Sequence, residues 1–221
     1  MHLEAVNMED YNIIWKGGIA FIGPMLLVLL ACFKYTDPSF TWLAFLFWAL
    51  LPLLMIHETE EYVIRVNGGI TEGGFQEYFN TKTFARLNPP RPDYPLTNGY
   101  ELFTNALAWF FAIISALTIY ITPWVGIGLI VFLFIMNGIM HTAIFQFTEK
   151  GANPGFYTTW LILNPYSVVI LFYAYTINAF TTLDYIVGII FGFLVFLAFL
   201  LTTRSKLKSF ELSQEPGESP K

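Results

Sequence analysis

The chain has 221 residues, of which 56% are hydrophobic and 12% are charged, and its formal net charge is −5. Soluble domains carry about twice this fraction of charged residues, so the composition excludes a soluble globular domain and predicts an integral membrane protein. The single cysteine, Cys32, excludes an intrachain disulfide and a cysteine-based metal cluster.

The N-terminal segment is acidic and lacks the basic start of a cleavable signal peptide, so we expect the first apolar run to remain as a helix. Apolar runs of about 20 residues cross a bilayer. Such runs predict an all-α fold, a polytopic membrane helix bundle of about six transmembrane helices, in a single domain over residues 1–203. The predicted spans are residues 17–33, residues 40–57 with a helical extension to 63, the two halves of 102–148 divided at Thr122-Pro123, residues 156–177 and residues 185–203.

The distribution of basic residues predicts the orientation of the bundle. With six spans, every Lys and Arg except Lys34 falls on one side of the membrane. Because cytoplasmic loops carry an excess of Lys and Arg, we expect both termini in the cytoplasm. The tail, residues 204–221, is polar and ends in a segment rich in Glu, Pro and Ser, which predicts disorder.

The long cytoplasmic loop, residues 65–100, has a pattern of its own. Phe75, Tyr78 and Phe79 recur at helical spacing, with Lys82 and Arg86 nearby. This pattern is typical of a short helix that lies in the membrane interface, where it would cap the cytoplasmic end of the bundle. A solvated connector is the alternative interpretation.

The second span ends in the sequence His57-Glu58-Thr59-Glu60-Glu61. Ionisable residues within a membrane span are costly and indicate functional sites. Residues three and four apart share one helix face, so His57, Glu60 and Glu61 are expected to point one way, with Glu58 rotated off that face. A histidine and a carboxylate one turn apart can bind one metal ion together.

Polar residues of three other spans lie at a similar depth. Glu101 and Asn105 lie near the start of the third span, Asn137 and His141 near the end of the fourth, and Asn164 in the fifth. With the predicted topology, all of them lie towards the cytoplasmic end of the bundle. This shared depth indicates one internal site, although each amide alone also fits a hydrogen bond between helices.

The residue types favour a divalent metal, because imidazole and carboxylate groups suit zinc, iron and manganese. We expect zinc rather than iron. His57, Glu61 and His141 would supply the three protein ligands that a catalytic zinc site uses, with Glu60 as the alternative carboxylate ligand. In the preferred assignment, Glu60 is a catalytic residue that acts as general base.

The remaining polar residues would act around the metal. Glu101 is predicted as a second catalytic residue, which orients ligands or substrate. The amides of Asn105, Asn137 and Asn164 would form hydrogen bonds to the cofactor or substrate. A two-metal carboxylate site is the alternative, with Glu101 as a bridging carboxylate.

The ordered set of polar residues resembles a known family. The chain is similar to membrane proteins named after a His-x-x-Glu-Glu motif, which is present here at residues 57–61. The other matching features are Asn105, the Asn137-x-x-x-His141 pair, and the turn Asn153-Pro154-Gly155 before a proline-bearing helix. The resemblance covers residues 40–169 and implies a shared polar site with no settled reaction. It supports the grouping of His57, Glu60, Glu61, Asn105 and His141.

Three functions fit these observations. The preferred one is a metal-dependent membrane hydrolase of a lipid or another apolar substrate. The second is a di-iron membrane oxidoreductase, and the third is a non-catalytic transporter or an accessory subunit of a membrane complex. The expected partners are membrane lipids and an apolar or lipid-like substrate, with a homo-oligomer or a membrane complex left open and no nucleic acid.

Overall fold

The computed structural model describes residues 8–63, 74–83, 96–146 and 153–213. Every regular element in these ranges is helical, and six of the helices are long and apolar enough to cross a membrane. The predicted fold class, an all-α polytopic membrane bundle, is therefore confirmed. The helices are α1 (Met8–Thr36), α2 (Trp42–Trp48 and Leu50–Tyr62), α3 (Gly74–Tyr78, continued by Phe79–Thr83), α4 (Asn98–Thr118), α5 (123–146), α6 (Phe156–Thr176) and α7 (Thr182–Ser213).

Threonine and proline residues set several of these boundaries. The hydroxyl of Thr41 accepts a hydrogen bond from the amide of Ala44 at 3.1 Å, which satisfies a donor that has no partner within the first turn of α2. Pro123 begins α5, because its fixed φ suits the first turn of a helix. Pro52 lacks the amide that would bond to the preceding turn, and α2 is interrupted at Ala49 in that turn.

Helices α5 and α6 contain π-helical turns. They span Val131–Met136 and Met140–Gln146 in α5 and Thr159–Leu163 in α6. A π turn inserts an extra residue into a helix and is frequent at functional sites. Here the π turns adjoin Asn137 and Thr158, both of which contact the candidate site.

A glycine contact joins α5 to α7. A Cβ atom on Gly192 would lie 2.6 Å from the carbonyl oxygen of Gly128 and 2.7 Å from Cβ of Val131. A Cβ atom on Gly188, one turn earlier, would lie 2.8 Å from Cβ of Ile127. Small residues four apart let membrane helices approach closely. Helix α4 also packs on α5, whereas α4 and α7 make few contacts with each other.

We expect Gly192→Ala to lower the melting temperature of the purified protein, because the Gly128 backbone leaves no room for a methyl group. Overpacking of this kind costs about 1–3 kcal/mol of unfolding free energy. Gly17→Ala is the matched control, since a Cβ there meets nothing within 4 Å. Melting curves in one detergent measure both variants, and an unchanged midpoint for Gly192→Ala would contradict the close crossing.

The last helix is longer than the sequence predicts. It continues to Ser213, whereas the sequence predicts a disordered tail from residue 204. Lys, Leu and Glu in residues 204–213 favour a helix once the apolar run has ended. Residues 214–221 lie outside the described residues. Helix α3 agrees with the helical spacing predicted for part of the loop 65–100. Residues 64–73 and 84–95 of that region are outside the described ranges, and the side of the membrane stays a prediction.

Candidate metal centre

The His-x-x-Glu-Glu sequence lies at the end of α2, and two of its side chains face the same buried point. His57 and Glu61 are 1% and 7% exposed. One helical turn separates them, and His57 Nε2 lies 3.4 Å from Glu61 Oε1.

His141 of α5 completes a cluster of three side chains. Its Nε2 lies 3.2 Å from the same Glu61 oxygen, and its ring centroid is 5.2 Å from that of His57. Atoms that each lie about 2 Å from one tetrahedral zinc ion are about 3.3 Å apart. The two distances to Glu61 therefore match the spacing of ligands around a single ion. We call these three residues the triad.

A hydrogen-bond relay fixes the ring of His57. The Thr158 hydroxyl donates to Glu60 Oε2 at 2.6 Å, and His57 Nδ1 lies 2.8 Å from that hydroxyl oxygen. Because the hydroxyl has only one hydrogen to donate, the hydrogen bond with His57 is donated by Nδ1–H. When the ring is neutral, its Nε2 consequently presents a lone pair to Glu61.

His141 is held in the same way by a residue of the turn before α6. Its Nδ1 lies 2.6 Å from Asn153 Oδ1, and the Asn153 amide nitrogen donates to the His141 carbonyl at 2.8 Å. The second bond orients the amide, so that its oxygen accepts from Nδ1–H of the ring. Metal-binding histidines commonly donate their other N–H to a protein oxygen in this manner.

The triad therefore brings together two imidazole lone pairs and a carboxylate. The three donor atoms all lie within 4.8 Å of one another. Buried groups of this kind are unfavourable together unless a cation or a proton lies between them. The chemistry of the donor set, with both histidines fixed as Nε2 donors, fits a divalent metal.

Asn137 and Gly155 also lie close to the triad. The Asn137 amide nitrogen lies 3.0 Å from His57 Nε2, and a rotation of that amide by half a turn would present its oxygen there instead. Gly155 has a φ of +84°. A Cβ atom on Gly155 would lie 2.7 Å from Cε1 of His141 and 2.8 Å from both Cγ of Glu61 and Cε1 of His57.

A cavity of about 490 Å³ adjoins the triad. Asn137 of α5 and four residues of α2 form a polar part of its lining, which we call the polar end; the α2 residues are His57, Glu58, Glu61 and Tyr62. Its other walls are almost entirely apolar and come from α4, α5 and α7, together with Phe75 and Phe79 of α3. The volume is typical of a site for one small ligand.

A family model described as "protein of unknown function with HXXEE motif" matches residues 48–170, which is more than half of the chain. The chain belongs to the HXXEE family. No match is found among curated proteins, and none among solved structures. The matched segment agrees with the resemblance noted for residues 40–169. It contains the HXXEE motif, His141 and the turn at residues 153–155, and it omits α1 and α7.

Glu60 of the HXXEE motif does not face the triad. Its two oxygens accept hydrogen bonds from the backbone amides of Tyr157 and Thr158 and from the Thr158 hydroxyl. A carboxylate is favourable at a helix N-terminus, where amides lack partners. This side chain therefore caps α6 and orients His57 through Thr158, and the general-base role of Glu60 stays a prediction.

Glu101 and Asn105 bind other partners. The carboxylate of Glu101 lies 2.7 Å from Lys16 Nζ, and Lys16 also lies over the ring of Tyr62 at 4.9 Å. Asn105 donates to the Tyr62 hydroxyl and to the Glu101 carbonyl, and it lines the cavity. The structure thus gives Glu101 a cationic partner from α1 and places Asn105 at the cavity wall.

Asn164 lies against Gly138, which leaves no space for a Cβ atom between α5 and α6. The Asn164 side chain therefore contacts the backbone beside Asn137. This position fits contact between helices, the alternative that each amide alone allowed.

Glu58, which the sequence predicts to be rotated off the motif face, lines the cavity beside the triad. It is 1% exposed. Its Oε2 accepts a hydrogen bond from Trp109 Nε1 at 2.7 Å, and its Oε1 has no hydrogen-bond partner among the described residues. Glu58 and Glu61 are therefore the two carboxylates of the motif that line the cavity.

Sequence reasoning missed the supporting roles of Asn153, Gly155 and Thr158. The first two were interpreted only as a turn, and Thr158 gave no signal at all. All three residues lie directly before α6 or within its first turn, and this shared position could have indicated their roles.

Proposed function

We propose that this HXXEE protein is a metal-dependent membrane hydrolase that acts on a lipid or another apolar substrate. The observation that supports the proposal best is the convergence of His57 Nε2, His141 Nε2 and a Glu61 oxygen within 4.8 Å. Three such ligands are typical of catalytic zinc, which keeps one position open. A bound metal of this kind supplies Lewis acidity and makes a hydroxide nucleophile accessible near neutral pH.

The cavity supports an apolar substrate. Its polar end lies at the triad, so a molecule bound along the apolar walls presents its polar group to the site. Asn137 has a second N–H that can donate to an ester or amide, and the amide oxygen of Asn105 can accept from an N–H or O–H group. The predicted excess of Lys and Arg on this side supports a cytoplasmic location of the site.

In this proposal the base is Glu58 in place of Glu60. Its side chain lines the cavity, its Oε1 is buried without a hydrogen-bond partner among the described residues, and Trp109 donates to its other oxygen. Glu58 Oε1 is therefore the atom that accepts a proton from the attacking water and returns it to the leaving group.

The competing functions receive less support. A di-iron centre uses additional carboxylates that bridge or bind the second ion. Glu60 binds the start of α6 and Glu101 binds Lys16, so within the described residues the ligands suffice for one ion. A transporter or an accessory subunit would bind the metal without hydrolysing a substrate, so the hydrolysis assay described next distinguishes it from a hydrolase.

We expect Glu58→Gln to lose hydrolysis of a long-chain para-nitrophenyl ester by about 100-fold or more, the usual contribution of a general base. The metal content should stay that of the wild type, because Glu58 is not in the triad. Glu77→Gln on α3, outside the cavity lining, is the matched control and should retain full activity.

The same assay tests the function itself. Chelation should abolish activity and added zinc should restore it. A metal-loaded wild type that hydrolyses neither long-chain esters nor amides would overturn the hydrolase proposal, and an oxidised product would favour the redox alternative. Loss of metal from Glu58→Gln would instead identify Glu58 as a ligand.

A further inference from the structure

The cavity has a side that faces the lipid. Its walls include Phe103 and Leu107 of α4, which are 60% and 37% exposed. Across from them, α7 contributes Val195 and Phe199. Both helices pack on α5 and make few contacts with each other, so the gap between α4 and α7 opens to the bilayer.

The end of the cavity nearest the triad is covered. Phe75 of α3 lies edge-on to Tyr62 at 6.3 Å and lies 6.0 Å from the ring of His141. Phe79 follows one turn later and also lines the cavity. Because α3 puts aromatic rings over this end, the lateral gap is the route that suits an apolar molecule.

The charge of the lining restricts the head group of a ligand. Glu58 and Glu61 are the ionisable carboxylates of the polar end, and no Lys or Arg is among the described residues that line the cavity. These two carboxylates would offset the charge of a divalent ion in the triad, so the polar end has no net positive charge that would favour an anionic group such as a phosphate. An ester, amide or alcohol can instead accept from the second N–H of Asn137, and an amide or alcohol can also donate to the amide oxygen of Asn105.

We propose that the cavity binds a single-chain lipid with an uncharged head group, which enters from the bilayer between α4 and α7. The head lies at the triad and the chain lies along the apolar walls towards the gap. The volume of about 490 Å³ suits one chain better than a two-chain phospholipid. The inference rests on the proposed function for the cavity as a substrate site, and it names the substrate class.

Binding is tested with the full chain in detergent micelles and a fatty alcohol that carries a diazirine near its chain end. Photolabelling should map to peptides of α4 and α7 that line the gap. Ala108→Trp, which fills the cavity from α4, should reduce labelling by about tenfold or more. Ala106→Trp is the matched control, because Ala106 is exposed on the same helix and does not line the cavity.

A second variant distinguishes a blocked cavity from misfolding of Ala108→Trp. Ala198→Trp fills the gap from α7 at an exposed position and should reduce labelling similarly, with an unchanged melting temperature. An unlabelled long-chain ester should compete, whereas a two-chain phospholipid or a single-chain phosphate should not. Labelling that is insensitive to both tryptophans, or displaced best by either phosphate lipid, would overturn the inference.

This experiment requires no turnover. If labelling behaves as expected and no ester is hydrolysed, the hydrolase proposal fails and the lipid site stands. If soluble esters are hydrolysed and labelling ignores the tryptophans, only the lateral lipid site fails.

Discussion

Replacement of His57 or His141 by alanine is expected to abolish metal retention. Each histidine supplies one of the three donor atoms that lie within 4.8 Å of one another, and two donors no longer match a catalytic zinc site. Changes to residues that only support a ligand cost about 10–100-fold in metal affinity, so loss of a ligand should exceed that range. Metal analysis of protein purified without chelators should give one zinc per wild-type chain and almost none per variant.

The chain offers its own control for this experiment. It contains three histidines, and His2→Ala removes the one outside the triad. That variant should keep one metal ion per chain and the melting temperature of the wild type. Full metal occupancy in either His57→Ala or His141→Ala would show that the triad is not the ligand set.

The second large effect is expected at Gly155. Gly155→Ala should lose the metal and lower the melting temperature, because a Cβ atom would lie within 2.8 Å of all three triad side chains. Its φ of +84° adds a backbone cost for any residue with a side chain. Zinc content and melting curves measure both consequences.

Gly155→Asn separates the two causes. Asparagine tolerates a left-handed backbone better than alanine does, but it also carries a Cβ. If the close approach to the triad dominates, both variants lose the metal alike. If Gly155→Asn keeps all of its metal and Gly155→Ala does not, backbone strain alone explains the loss. If both variants keep their metal, a Cβ atom in the turn does not disturb the triad.

Much of the fold could be predicted because it is written in local patterns. Uninterrupted apolar runs predict the spans, and Pro123 marks the start of α5 where the sequence places it. The end of α7 was harder to predict, because hydropathy alone does not distinguish a polar segment of good helix formers from an unstructured tail.

The site could be predicted in part. His57 and Glu61 share a helix face, and depth along the spans indicated that His141 lies near them, as the structure has it. The metal itself remains a prediction. The supporting contacts depend on residues far apart in sequence: Thr158 is 101 positions from His57, and a lone threonine carries no signal of such a partner.

The partners of the glutamates could not be predicted for a related reason. Spacing alone puts Glu60 on the face of His57, yet the start of α6 binds both of its oxygens. Glu58 was set aside by the same spacing, although α4 offers it Trp109. Which face of a motif meets a cavity depends on neighbouring helices, and a single sequence does not specify them.

The position of the triad has one more consequence. Its three residues come from α2 and α5, and the turn before α6 lies directly on them through Asn153 and Gly155. An ion bound there would cross-link these separate segments, as a disulfide cross-links loops in secreted proteins. Because a ligand that binds only the folded state stabilises it, the resistance of this bundle to unfolding would then depend on the concentration of free zinc.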